Sequence, residues 1–583
     1  MTSIVTSLTV NQIKSLSTAS IAALKTSDIA ALSTTQIKAL SSTQLAAFET
    51  EDIAVLTSAQ VAAIATTALS GLTVDQLGAL GSVQIGGLGA AQVTALYASQ
   101  IEVLTSSQIE AMTATQIGAM TSDKIAVLAT EDLATFTTAE IAAIKTTALA
   151  GLTSDQVTSL STDKVAALTT AQVGSLSTDK VALLGSSQIA ALTTAQVGGL
   201  STRQVVALTT DAVAGLSSGQ IAALSTAQVA ALTTEQLSAL STAQVEALTT
   251  RQVAALTSSD LAAFGSEDIA SFSTAELAAI TTAALNGLTT DVIASLGSSQ
   301  ISALTKNQVS VLSTDKVALL ASSQIEALTT AQIGGLTTRQ LATITTDAVA
   351  GLTSGQIAAL TTTQVGSLTT GQISALTSGQ IEALTSAQIG ALSSSQLAAM
   401  ATDDIASFST AEIAAIKTTA LSGLTTDAIT SMATSQIAAL TKAQVSVLST
   451  SKVALLASSQ VAALSSTQLS GLSPSQVVAL TTDALAGLTS GQVAALSTAQ
   501  VAALTTDQLS ALSTAQVEAL TTAQIASLTS SDLAAFGSED IATFSTSDLA
   551  AITTAALNGL TTDVIASLGS SQISALTKNQ VSV

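Results

Sequence analysis

The side chains best placed to do chemistry are four acidic pairs, Glu131-Asp132, Glu267-Asp268, Asp403-Asp404 and Glu539-Asp540, which recur at one constant interval along the chain. Two adjacent carboxylates could divide acid and base roles or hold a hard cation such as calcium or magnesium. The usual partners are missing: the chain has no histidine and no cysteine, so imidazole catalysis, His-dependent triads and Cys/His zinc sites are excluded by composition. Neither an Asp-rich twelve-residue calcium loop nor a glycine-rich nonapeptide roll surrounds the pairs. At the second and third positions of a helix, carboxylates favour the exposed N–H groups and the dipole. They are therefore expected to be surface pairs that stabilise helix starts, with no catalytic residue, metal or cofactor.

The elements that carry them are read most clearly at Leu472-Ser473-Pro474-Ser475-Gln476-Val477-Val478-Ala479, which holds the only proline. Proline suits the first helical position, where its missing N–H has no intrahelical partner. Ser473 is then the N-cap and Gln476 the third helical residue, the reciprocal pair of a capping box. Leu472 before the cap and Val477 at the fourth position form a hydrophobic staple. The same eight-residue unit runs from Leu8 to Leu576 without losing its frame: a large apolar residue, usually two hydroxyl residues, a variable position, most often Gln or Asp, then Ile, Val or Leu and two mostly small residues.

Periodicity chooses the backbone. One continuous helix would advance about 80° beyond two turns in every octad, winding its apolar residues around the surface. A strand needs period two, whereas the large apolar positions alternate in spacings of five and three. The spacing of three, as from Ile13 to Leu16, fits a helical turn. The expectation is an all-α, elongated solenoid of very short capped helices, one per octad, each depending on its neighbours because so short a helix does not form alone. A β-solenoid is the alternative, since Thr, Val and Ile suit strands.

Residues 1–583 read as one continuous array with a 17-octad higher period over much of its length, the interval that separates the acidic pairs. Glu51-Asp52 precedes the next pair by only ten octads, a deficit of whole units, and the stretch from Ser258 to Val311 returns almost unchanged from Ser530 to Val583. The last copy stops before its next leucine, so a fragment of a longer array is expected. All seven phenylalanines replace the opening leucine and are assigned to the core; Tyr97 falls at a cap position, where a weaker helix start or an exposed ring is expected. Lys124, Lys164, Lys180 and Lys316, at the third helical position beside Asp123, Asp163, Asp179 and Asp315, are expected to tune a solvated face or contacts with neighbouring repeats. Gly86-Gly87, Gly198-Gly199 and Gly334-Gly335 end octads, where close packing or flexible corners explain them.

A formal charge of −22, from 38 acidic and 16 basic residues, argues against nucleic acid and against simple attraction to anionic membranes. No apolar run reaches the length of a membrane span. Met1-Thr2-Ser3-Ile4-Val5 lacks a basic segment leading into an apolar core, so no classical signal peptide is read there and export would need another route.

The words Leu224-Ser225-Thr226-Ala227-Gln228-Val229-Ala230-Ala231 and Leu232-Thr233-Thr234-Glu235-Gln236-Leu237-Ser238-Ala239 resemble the octad arrays of large bacterial repeat proteins labelled as surface, adhesion or haem-utilisation proteins. The resemblance implies an extracellular or cell-surface structural role; without a histidine ligand, the haem role is not carried over. Two classes follow. A non-enzymatic stalk, fibre or filament-forming element, on the order of 300 Å long if two short helices fill each roughly 10 Å layer, is the first reading, with self-assembly as its partner interaction. The alternative is an adhesin-type module that uses a repeated face to bind a cell-surface or matrix ligand.

Overall fold

Most octads turn the chain with two extended residues and then fold four to six residues into a helix, and a few form only a short 3₁₀ turn, as Leu69–Gly71 does. The Pro474 octad shows how. Ser473 is extended (φ −68°, ψ 157°), Pro474–Ala479 is helical, and Leu480 is extended again (φ −64°, ψ 141°), ready to lead into the next cap. Because the corners use only the extended region, no described residue needs a positive φ. The computed structural model describes residues 3–583, and among them there is no strand. The fold is an all-α solenoid, and the β-solenoid alternative is set aside. Met1 and Thr2, which begin the stretch read above for a leader, lie outside the described residues.

The chain divides into two compact units, Met1–Ser295 and Leu296–Val583. Within each, a helix packs against the third helix along, as Thr162–Ala167 does on Ser186–Ala191 and Ser458–Ala462 on Thr482–Ala486. Side-chain hydrogen bonds between coils join residues mostly 25 to 31 apart, so one turn takes between three and four octads. The apolar interior is a column of two residues per octad. Val229 is fully buried and Leu232 is 5% exposed, and the same holds along the array. Burying such a side chain contributes about 1.5–3 kcal/mol, which stacking supplies and an isolated octad lacks.

Phenylalanine enters this column without changing its logic. All seven rings are buried, and two neighbouring pairs, Phe264 with Phe272 and Phe536 with Phe544, meet edge to face with centroids 6.3 Å apart. Where coils approach most closely, the octad ends in glycine. A Cβ on Gly151 would collide with the Ser122 carbonyl one turn earlier, and the same clash would occur between Gly423 and Ser394. The paired glycines follow this close-packing rule: a Cβ on Gly335 would lie 2.6 Å from Lys306 Cγ.

Gly379, by contrast, lies in the helix Ser378–Ile381 with nothing within 4 Å of a built Cβ. Gly379→Ala is expected to stabilise by about 0.4–1 kcal/mol through loss of unfolded-state freedom, whereas Gly151→Ala destabilises by more than about 1 kcal/mol. Denaturation midpoints of the two variants check the opposite signs.

Candidate functional site

The third helical position is where the structure concentrates its polar chemistry. Gln476 shows the common arrangement. Its Oε1 accepts the N–H of Ser473 at 2.7 Å, while its own N–H is donated to Ser473 Oγ at 3.2 Å. Its Nε2 then crosses to the coil below, donating to the Val445 carbonyl at 3.0 Å and the Leu448 carbonyl at 2.7 Å, which lie 31 and 28 positions earlier. The pattern recurs at Gln44, Gln228, Gln388 and Gln580. One buried amide thereby caps its own helix and ties it to the previous turn, using its acceptor and both donors. Exchanging the amide O and N would set oxygen against two carbonyls, so the network fixes the orientation.

Other residues at this position do part of the work. A carboxylate keeps the acceptor and loses the donor. Asp132, Asp268, Asp404 and Asp540 each accept the N–H of the cap residue, at 3.0, 3.1, 3.2 and 3.1 Å, in octads where the cap is Ala or Gly. Their neighbours Glu131, Glu267, Asp403 and Glu539 are exposed, but the second members are not surface residues: Asp132 and Asp404 are buried, Asp268 and Asp540 half-buried. The surface description of the pairs is corrected to that extent, because the cap bond draws the second carboxylate in between coils. Oδ1 of Asp404 also accepts Ser378 Oγ across the coils at 3.0 Å, and Asp268 accepts Thr242 Oγ1 at 2.9 Å.

Lysine keeps the donor and loses the acceptor. Lys164 Nζ donates to the Ala134 carbonyl at 2.7 Å, Lys180 to Ala150 at 2.9 Å, and Lys452 to Leu421 and Ser422 at 3.0 and 2.8 Å. Lys124 and Lys316 are buried, at 4% and 7% exposure. Of the two expectations for these lysines, contact with neighbouring repeats is the one observed and a solvated face is not, because this position points between turns. Burial lowers the Lys316 and Lys452 ammonium pKa below the ordinary lysine value. Among the described residues the one ion pair is Lys124 with Asp123 at 3.9 Å, so carboxylates here are held chiefly by N–H and O–H donors.

The outer surface is chemically plain. Serines at the first helical position, Ser82, Ser218, Ser354 and Ser490, recur once per 17-octad block, and each donates to a carbonyl 25 positions later. Leu183, Leu319 and Leu455 also keep that spacing and are exposed at 36%, 50% and 41%. Tyr97 is an exposed cap residue whose N–H still reaches Gln100 Oε1 at 2.8 Å. An open depression of about 420 Å³ beside Arg203 and Val206 contains no carboxylate. No described group of three or more acidic residues has the geometry of a metal site.

These features define a class, the helical octapeptide solenoid whose turns are joined by side-chain amides. The chain belongs to the ALTTAQ repeat family, whose pattern matches residues 21–82, 125–258, 261–298, 325–402, 461–522 and 541–578 in overlapping copies. No curated protein matches the chain. It is therefore a helical octapeptide-repeat protein of this family.

Sequence reasoning found the cap half of the glutamine and missed its bond across the coils. The signal was present, because glutamate would complete a capping box equally well, yet glutamine predominates. Gln228→Ala is expected to cost about 2–4 kcal/mol, since the Leu200 carbonyl and the Ser225 N–H both lose their side-chain partner; hydrogen exchange at that turn measures it. For Lys316 and Lys452 the folded pKa is depressed, so between that value and about 10.4 the unfolded chain binds more protons and stability rises with pH. Replacing both with Gln should flatten this alkaline rise in the denaturation midpoint.

Proposed function

We propose that the protein is an extracellular or cell-surface spacer, a stalk or fibre element. What supports the reading is where its chemistry lies. The specifying polar groups, the glutamines and their substitutes, are turned inward between coils, while the outward positions are mostly Ser, Thr and Ala. Such an array can be lengthened by whole blocks without altering the chemistry of its surface. A role in reach and spacing uses that property, and self-association along the coil is the partner interaction it favours.

One observation favours the second reading, a binding module for a cell-surface or matrix ligand: the exposed leucines Leu183, Leu319 and Leu455 recur with the block period. A spacer tolerates their loss; an adhesive face does not.

Deletion of one 17-octad block should shorten the particle seen by negative-stain microscopy and leave it helical by circular dichroism. In the native cell, externally added protease should remove the chain while cytoplasmic markers survive, and full protection from that protease would overturn the surface placement. Changing the three leucines to Ser should leave attachment of cells unchanged if the chain is a spacer.

A further inference from the structure

From Gln36 onward, octads that lack glutamine at the third helical position are isolated, except in four places. These are the runs Lys124, Asp132, Glu140, Ala148; Asp260, Asp268, Glu276, Ala284, Val292; Asp404, Glu412, Ala420, Ala428; and Asp532, Asp540, Asp548, Ala556, Val564. Each run begins 16 to 18 octads after the one before and covers four or five octads. A turn takes between three and four octads, so every run removes the glutamine row from one whole inter-coil interface.

The consequence shows in the carbonyls. A glutamine normally supplies the hydrogen bond to the carbonyl of the opening apolar residue 28 positions earlier, as Gln228 does for Leu200 and Gln388 for Leu360. Below the first run the corresponding carbonyls are those of Leu104, Met112 and Met120, all three residues buried, and no described side chain donates to them. Leu376, Leu384, Leu392 and Met400 stand in the same relation to the third run. Buried carbonyls without donors draw water.

What replaces the row is weaker in kind. Acidic side chains at Asp132 and Glu140 satisfy their own caps, at 3.0 and 2.7 Å, and offer nothing to the coil below, while Asp268, Asp404 and Asp548 each accept one hydroxyl from it but donate to none of its carbonyls. The backbones come closer instead, with Gly151 against Ser122 and Gly423 against Ser394, and the octads ending in those glycines form 3₁₀ helices, Leu149–Gly151 and Leu421–Gly423. Contact of this sort is a sum of small dispersion terms that vanish with a small gap.

We propose that each glutamine-free turn is a yielding joint, the interface at which the solenoid opens first, so that the array gives way at near-regular intervals while the glutamine-joined turns between stay closed. This device goes beyond the spacer reading and holds whichever surface the chain occupies. In repeat arrays each interface has its own stability, so a weak one opens separately.

Hydrogen–deuterium exchange on the full chain, read by mass spectrometry, tests it. Backbone amides of residues 101–151 and 373–431 should exchange about tenfold or more faster than those of residues 188–252, where the glutamine row is interrupted only at Ala212. The double variant Asp132→Gln, Glu140→Gln restores the majority residue and should slow exchange at 101–151 while leaving 373–431 unchanged. Equal exchange throughout the wild-type array, or a double variant with no local effect, would overturn the joint. Neither result bears on where the protein resides.

Discussion

The side-chain amide between coils is the interaction on which the remainder of the structure depends. A helix of four to six residues has almost no internal hydrogen bonding to hold it, and its ends are most of its length. Glutamine answers both ends at once: its oxygen takes an N–H at the start of its own helix, and its nitrogen takes carbonyls at the end of a helix one turn below. That dual demand explains the strictness of the frame. An insertion of any length other than a whole octad would move the next several glutamines away from the carbonyls 28 and 31 positions behind them. It also explains why substitutes divide so cleanly, with Asp132 retaining the cap bond and Lys164 retaining the bond between coils.

Much of the fold was legible in the sequence because it is local. Pro474 with Ser473 and Gln476 located the helix start, the five-and-three spacing located Leu and Ile or Val in the core, and Phe at the opening position followed. These follow from one octad considered alone. The turn of the coil does not, because it is a property of how octads stack and no residue within one octad encodes it. Hence one octad leaves open whether the lysines face solvent or a neighbouring repeat, and they are found between turns, while Asp132 and Asp404 are buried and their neighbours Glu131 and Asp403 are exposed. Gln476 was seen with its acceptor engaged and its donor unassigned for the same reason.

The long period acquires a meaning once the turn is known. Hydrogen bonds between coils span 25 to 31 residues, so a turn is not a whole number of octads and neighbouring octads face different directions. Blocks of 17 octads keep the frame and repeat the order of the outward residues as well. Duplication of single octads would keep the frame and the core but not that order. The block length thus satisfies two constraints of different origin. The octad preserves the inward chemistry of the glutamine, and the block preserves the spacing of exposed features such as Leu319 and Leu455. Only the second has no bearing on folding, which is why the spacing of the outward residues is where selection for a role of the surface would be recorded.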